Sequence, residues 1–141
     1  TVMLQRVSFP MNEVYYAGAH SPTAADRAEL AAVVRSAITS GGVQVHDVAL
    51  TQLSVTGTPA TGETVHWLVE ATLPVEQVGA LVAHHSSASF LAFVEGGALA
   101  LGGNHQNSLY QTSAAVDTSS APFAGVAPSP PPSARRRLLL L

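Results

Sequence analysis

The reading of one stretch decides the fold: TAADRAELAAVVRSAITSGGVQVHDVALTQLSVTGTPATGETVHWLVEATLPVEQVGALVAHHSSASFLAFV, Thr23–Val94. Its first part is a helix with its own start signal. Thr23 can accept from the backbone of the first turn, and Asp26 stands near the positive end of the dipole. Ser21-Pro22 is an alternative start with proline at the first helical position. Leu30, Val33, Val34, Ala37 and Ile38 recur at helical spacing, so one face is buried. Gly41-Gly42 supplies the left-handed position that ends the helix.

Two strands follow. Val43 and Val45 alternate, Val48 and Leu50 alternate in the opposite phase, and Leu53 and Val55 shift back. A change of phase inside a strand requires a bulge or a break. Gly57–Gly62, with Pro59 inside it, is a loop. Val65, Trp67, Val69, Ala71 and Leu73 then share one face, the clearest strand pattern in the chain. Pro74 stops that strand and opens a second helix carrying Val75, Val78, Leu81, Val82 and His85 on one side. Ser86-Ser87 end it. Phe90, Ala92 and Val94 read as the closing strand, with Leu91 and Phe93 on its reverse.

Outward from this stretch, Val2–Phe9 is an imperfect alternation that suits a first strand with a bulge, ended by Pro10. Val14, Tyr15 and Tyr16 either extend that strand or anchor a loop. Beyond Val94, Ala98–Leu101 lies between Gly96-Gly97 and Gly102-Gly103 as a short extra strand. The resulting order is strand, helix, strand, strand, helix, strand, which predicts an α+β ferredoxin-like sandwich (β-α-β-β-α-β) with an antiparallel sheet over residues 1–103. Residues 104–117 form a polar arm with Leu109, Tyr110 and Val116 as anchors. Residues 118–141 form a Ser/Ala/Pro-rich tail, extended through Pro128-Ser-Pro-Pro-Pro132.

Charged residues make up only 11% of the 141-residue chain, well below the usual share for a free soluble protein. Such a surface suits a subunit packed among neighbours or a surface protein carrying glycans. All nine acidic residues lie between Glu13 and Asp117, and before the tail they face only three basic residues, Arg6, Arg27 and Arg35. The body is therefore acidic, which argues against a nucleic-acid partner. Arg135, Arg136 and Arg137, followed by four leucines, read as a docking peptide or as a foreign end. There is no cysteine, which excludes disulfides and thiolate chemistry. No apolar run reaches the length of a membrane span.

Six histidines are the obvious chemistry. His84 and His85 are adjacent on a helix and point about 100° apart, so they do not share a metal. No metal and no cofactor are expected; the residues that would hold a metal are His46, His66 and Glu70, if the two histidines face each other across the hairpin. A triad of Ser86, His85 and Asp47 can be drawn, but nothing places that serine on a nucleophile elbow. No catalytic residue is assigned, and the balance falls against an enzyme. Tyr15, Tyr16 and Tyr110 lie outside the periodic elements, where tyrosines serve as interface anchors. Leu91 and Phe93 join them, because a strand apolar on both faces calls for a cover on both sides.

The unit Ala24-Ala-Asp-Arg27 through Leu30–Ile38, then Val43–Val55 and Val65–Leu73, together with the Ser129–Pro132 run, resembles SEA-like, ferredoxin-like extracellular surface modules of green algae and protists. The resemblance covers about Val2 to Val94. SEA domains often self-cleave at a Gly-Ser turn between their second and third strands. The corresponding loop here, Gly57–Gly62, has no Gly-Ser, so self-cleavage is not implied. The resemblance implies a building module in a cell-surface or extracellular assembly. Asn12, Asn104 and Asn107 all fail the Asn-x-Ser/Thr rule, so any glycans belong on Ser, Thr or hydroxylated proline; the Ser129–Pro132 run is the best candidate for such O-glycans and reads equally as a rigid linker. The expected function is a non-catalytic structural or assembly module whose partners are other protein subunits. The alternatives are a small ligand- or metal-binding ferredoxin-like oligomer or enzyme using histidines, and an accessory subunit of a large intracellular complex.

Overall fold

The computed structural model describes residues 2–17, 22–102, 108–112 and 114–125. Its elements are β1 (Val2–Tyr15), α1 (Ala24–Ser40), β2 (Asp47–Thr58), β3 (Gly62–Pro74), a 3₁₀ turn (Val75–Gln77), α2 (Val78–His85), α3 (Ala88–Leu101), β4 (Ser108–Thr112) and β5 (Phe123–Gly125). One antiparallel sheet runs in the order β2-β3-β1-β4, and β5 pairs with the other end of β1 on the β4 side. The protein is therefore α+β with an antiparallel sheet. The proline-rich run and Arg135–Arg137 lie outside the described residues.

Each start and stop has a local cause. At the head of α1, the Thr23 hydroxyl accepts from the Asp26 N–H at 3.2 Å and the Asp26 carboxylate accepts from the Thr23 N–H at 2.9 Å. This reciprocal box satisfies two donors at the helix start. The chain leaves α1 through Gly42 at φ 79°, the left-handed conformation that favours glycine. The phase change in β2 is a bulge: Gln52 pairs with Trp67 and Ser54 with His66, leaving Leu53 unpaired.

β1 is longer than expected and passes straight through Pro10 to Tyr15. Ser8 exchanges both backbone hydrogen bonds with Asp117, on the side of β1 away from β3. Two residues on, the nitrogen of Pro10 faces that same side, so proline removes nothing from the β1–β3 ladder. No register shift interrupts β1 against β3, so the expected bulge is absent.

The larger correction concerns the closing strand. Phe90–Val94 belongs to α3, as does Ala98–Leu101. Phe90, Val94 and Ala98 are the buried residues of that helix, spaced four apart. Over five residues, Phe90, Ala92 and Val94 mimic a strand; the period emerges only past Gly96-Gly97. Those glycines lie inside the helix, and at Gly97 a Cβ would stand 2.9 Å from Val33 Cγ1, so α1 and α3 meet where a side chain does not fit. The fourth strand of the sheet comes instead from the stretch read as a polar arm. β4 pairs with β1 from Met11 to Tyr15.

The core lies between the helices and one face of the sheet. Phe9, Met11 and Tyr15 of β1 and Val65, Trp67, Val69 and Leu73 of β3 pack against Leu30, Val34 and Ile38 of α1, Leu81 of α2, and Phe90 and Val94 of α3. The other face presents half-buried Asn12, Val14, His66, Leu68 and Glu70.

Candidate functional site

The most concentrated chemistry sits where β1, β3 and β4 meet. The register sets Glu13 opposite Val65 on one side and Tyr110 on the other. Tyr15 is two residues along the same face, and Trp67 two residues beyond Val65. Glu13 is completely buried. Its Oε1 accepts from the Tyr15 hydroxyl at 2.8 Å and from the Trp67 indole N–H at 3.1 Å. Its Oε2 accepts from the Tyr110 hydroxyl at 2.6 Å. A buried carboxylate is costly unless it is hydrogen-bonded, and bonds to a charged acceptor are the strong ones. Burial first, and the Glu13 carboxylate second, hold the Tyr15 phenol far above its ordinary 10.0. Tyr15 is therefore a fixed donor at neutral pH. Glu63, directly opposite Tyr15 in the register, is a second buried acid.

A small cavity of about 170 Å³ opens beside this cluster, lined by Pro22, Thr23, Ala24, Arg27, Gln52 and Trp67. Its walls offer an aromatic edge, an amide and a guanidinium at the head of α1.

The histidines are distributed otherwise than expected. Backbone pairing sets Ser54, not His46, against His66. The His46 N–H donates to the Thr72 carbonyl at 2.7 Å; six residues along β3, Thr72 lies about 20 Å from His66. Glu70 is four residues from His66 on the same strand, about 13 Å away. These three residues are too far apart to share an ion. His66 instead places Nδ1 2.9 Å from the Asn12 side-chain oxygen. His84 donates from Nε2 to the Ala37 carbonyl at 2.7 Å, near the end of α1. Its ring fills the space beside Gly41, where a Cβ would stand 2.5 Å from it. The His85 ring lies 4.4 Å from Phe9 and 5.6 Å from Phe90 between centroids. Its Nε2 is buried with no hydrogen-bond partner among the described residues, and burial lowers its pKa below 6.5. Ser86 donates its hydroxyl to the Val82 carbonyl at 3.0 Å, a helix-end bond.

Of the expected interface anchors, Tyr15 and Tyr110 are buried inside the chain as donors to Glu13. Tyr16 is exposed at the end of β1. Leu91 is half-buried against the core. Phe93 is exposed on α3, where with Gly97 and Leu101 it lines a groove of about 380 Å³ against Glu29, Ala32, Val33 and Ser36 of α1. Arg135, Arg136 and Arg137 fall outside the described residues. The Glu13 cluster escaped sequence reasoning, although its signal was present. Glu13 continues the alternation of Val7, Phe9 and Met11, and Glu63 that of Val65 and Trp67, so both acids fall on the apolar face.

No protein-family model matches the chain, and neither the curated proteins nor the solved structures contain a significant match to it.

Proposed function

We propose that this chain is a non-catalytic assembly module built on a ferredoxin-like sandwich. The strand order β2-β3-β1-β4, with every neighbouring pair antiparallel and the helices on one face, supports that topology. In this reading the closing strand is β4, and α2 and α3 together replace the second helix.

The observation that carries the assembly reading is the outer surface of α3. Phe93 and Leu101 are each 43% exposed and line the largely apolar α1–α3 groove. Exposed apolar surface around such a groove on a weakly charged body is the mark of an interaction face. The polar groups best suited to chemistry, around Glu13, bond to one another in the core. A cell-surface setting, as in SEA-like modules, is part of the proposal.

The test is the natural protein. Introduced into its source cells with a tag, the wild-type chain should sediment with a particle much larger than its own 14.5 kDa. A Phe93→Asp/Leu101→Asp variant, folded by circular dichroism, should be released from it. A wild-type chain that sediments alone refutes the assembly reading. Pentose or hexose additions on Ser129–Pro132 in the intact mass support the extracellular setting, and an unmodified mass favours an intracellular complex.

The cavity beside Trp67 favours a second reading, a small-ligand site. Trp67 is the single tryptophan of the chain, so its fluorescence would report occupancy directly.

A further inference from the structure

The two edges of the sheet are unlike each other. On one side β1 is flanked by β4 and β5, of five and three residues. Such short strands are a common way to blunt an edge. On the other side β2 stands last in the order and, among the described residues, pairs with β3 alone. It is twelve residues long, DVALTQLSVTGT. It contains no lysine, arginine or proline, and its single charge is Asp47 at the first position. Thr51, Gln52, Leu53, Ser54, Thr56 and Thr58 are all exposed, Leu53 at 57%. A long strand rich in Thr, Val and Leu, with one charge at its end, has few of the usual guards beyond the bulge at Leu53.

We propose that β2 is a self-association edge: the β2 strands of two copies pair antiparallel about a two-fold axis, making one sheet continuous through both molecules. The charge pattern selects this arrangement. Antiparallel pairing sends the two Asp47 carboxylates to opposite ends, whereas parallel pairing would set them side by side. The bulge fits the same symmetry. Leu53 is close to the midpoint of Asp47–Thr58, so the two bulges meet near the axis. The residues before each bulge then face those after the partner's. The two exposed Leu53 side chains bury each other, and the interface is isologous.

Twelve strand residues span about 40 Å, about twice the length of an ordinary strand, so the ladder between two copies would be a long one. This contact shares no residue with the α1–α3 groove and does not rest on the assembly reading.

Sedimentation equilibrium tests it on the full chain. Wild type should reach twice the monomer mass of 14.5 kDa and stop there. Thr51→Lys/Leu53→Lys should remain monomeric with an unchanged circular dichroism spectrum and melting temperature. Phe93→Asp should still dimerise, which separates this contact from the α3 face. The chain has no cysteine, so single substitutions report without background. Among Thr51→Cys, Leu53→Cys and Ser54→Cys, at least one should form a disulfide-linked dimer on mild oxidation, and Gln111→Cys on β4 should not. A monomer at every concentration, assembly that grows beyond two copies, a dimer indifferent to the lysines, or crosslinking through Gln111→Cys alone would each overturn the proposal.

Discussion

The phenol of Tyr15 and the indole N–H of Trp67 converge on one oxygen of Glu13, at 2.8 and 3.1 Å. Tyr110 takes the other oxygen at 2.6 Å. The carboxylate thus ties three strands together, since its donors come from β1, β3 and β4. β4 is only five residues long, so Tyr110 is a principal link between it and the rest of the sheet.

Removing the acceptor leaves buried donors unpaired. Glu13→Ala is expected to cost about 3–5 kcal/mol, the sum of lost charge-assisted bonds and stranded donors. Glu13→Gln keeps one carbonyl acceptor and should cost less than Glu13→Ala. Urea unfolding followed by Trp67 fluorescence measures both. Equal stability of wild type and Glu13→Ala would mean that the cluster contributes nothing to the fold.

Tyr110→Phe deletes a single hydroxyl at constant ring volume. The expected loss is about 1.5–3 kcal/mol, the range for a bond to a charged group. Because β4 hangs on this contact, amide exchange should quicken on β4 and on the β1 residues from Met11 to Tyr15 before it does on β2. Exchange that rises evenly over the whole sheet would contradict a local role.

How far the sequence revealed this arrangement depended on the length of each pattern. α1 was legible because its stripe runs over two turns and begins with a cap. The β2 bulge was legible because Val48, Leu50, Leu53 and Val55 change phase. α3 was not, because its buried residues Phe90, Val94 and Ala98 are interleaved with other apolar side chains and two glycines. Within so uniform a segment, five residues fit period two as well as period 3.6. β4 was missed for the opposite reason. Its burial is concentrated in Tyr110, and that burial depends on an acid 97 residues earlier. The acids at Glu13 and Glu63 stood on the apolar faces of their strands, but only the paired register shows what they meet.

His85 makes stability depend on pH in one direction. Its pKa is lowered in the folded state by burial between Phe9 and Phe90. Above 6.5 it is neutral in both states and contributes no pH dependence. As pH falls below that value the unfolded chain takes up the proton first, so stability declines toward the lowered native value. His85→Leu should flatten this part of the profile, measured as urea midpoint against pH. A wild-type midpoint that is constant from neutral to mildly acidic pH would exclude a buried neutral His85.

The two glycines inside α3 predict opposite effects. At Gly96 a Cβ would meet nothing within 4 Å, so Gly96→Ala should stabilise the helix by about 0.5–1 kcal/mol through propensity alone. At Gly97 the added atom would press on Val33 of α1 at 2.9 Å. Gly97→Ala sets that crowding against the same propensity gain; Gly97→Val adds a branched side chain and should cost about 1–3 kcal/mol by overpacking. Thermal melts of the three variants side by side separate the terms. If Gly97→Val were as stable as Gly96→Ala, α1 and α3 would not be in contact at Val33. That result would also remove the groove on which the assembly reading depends.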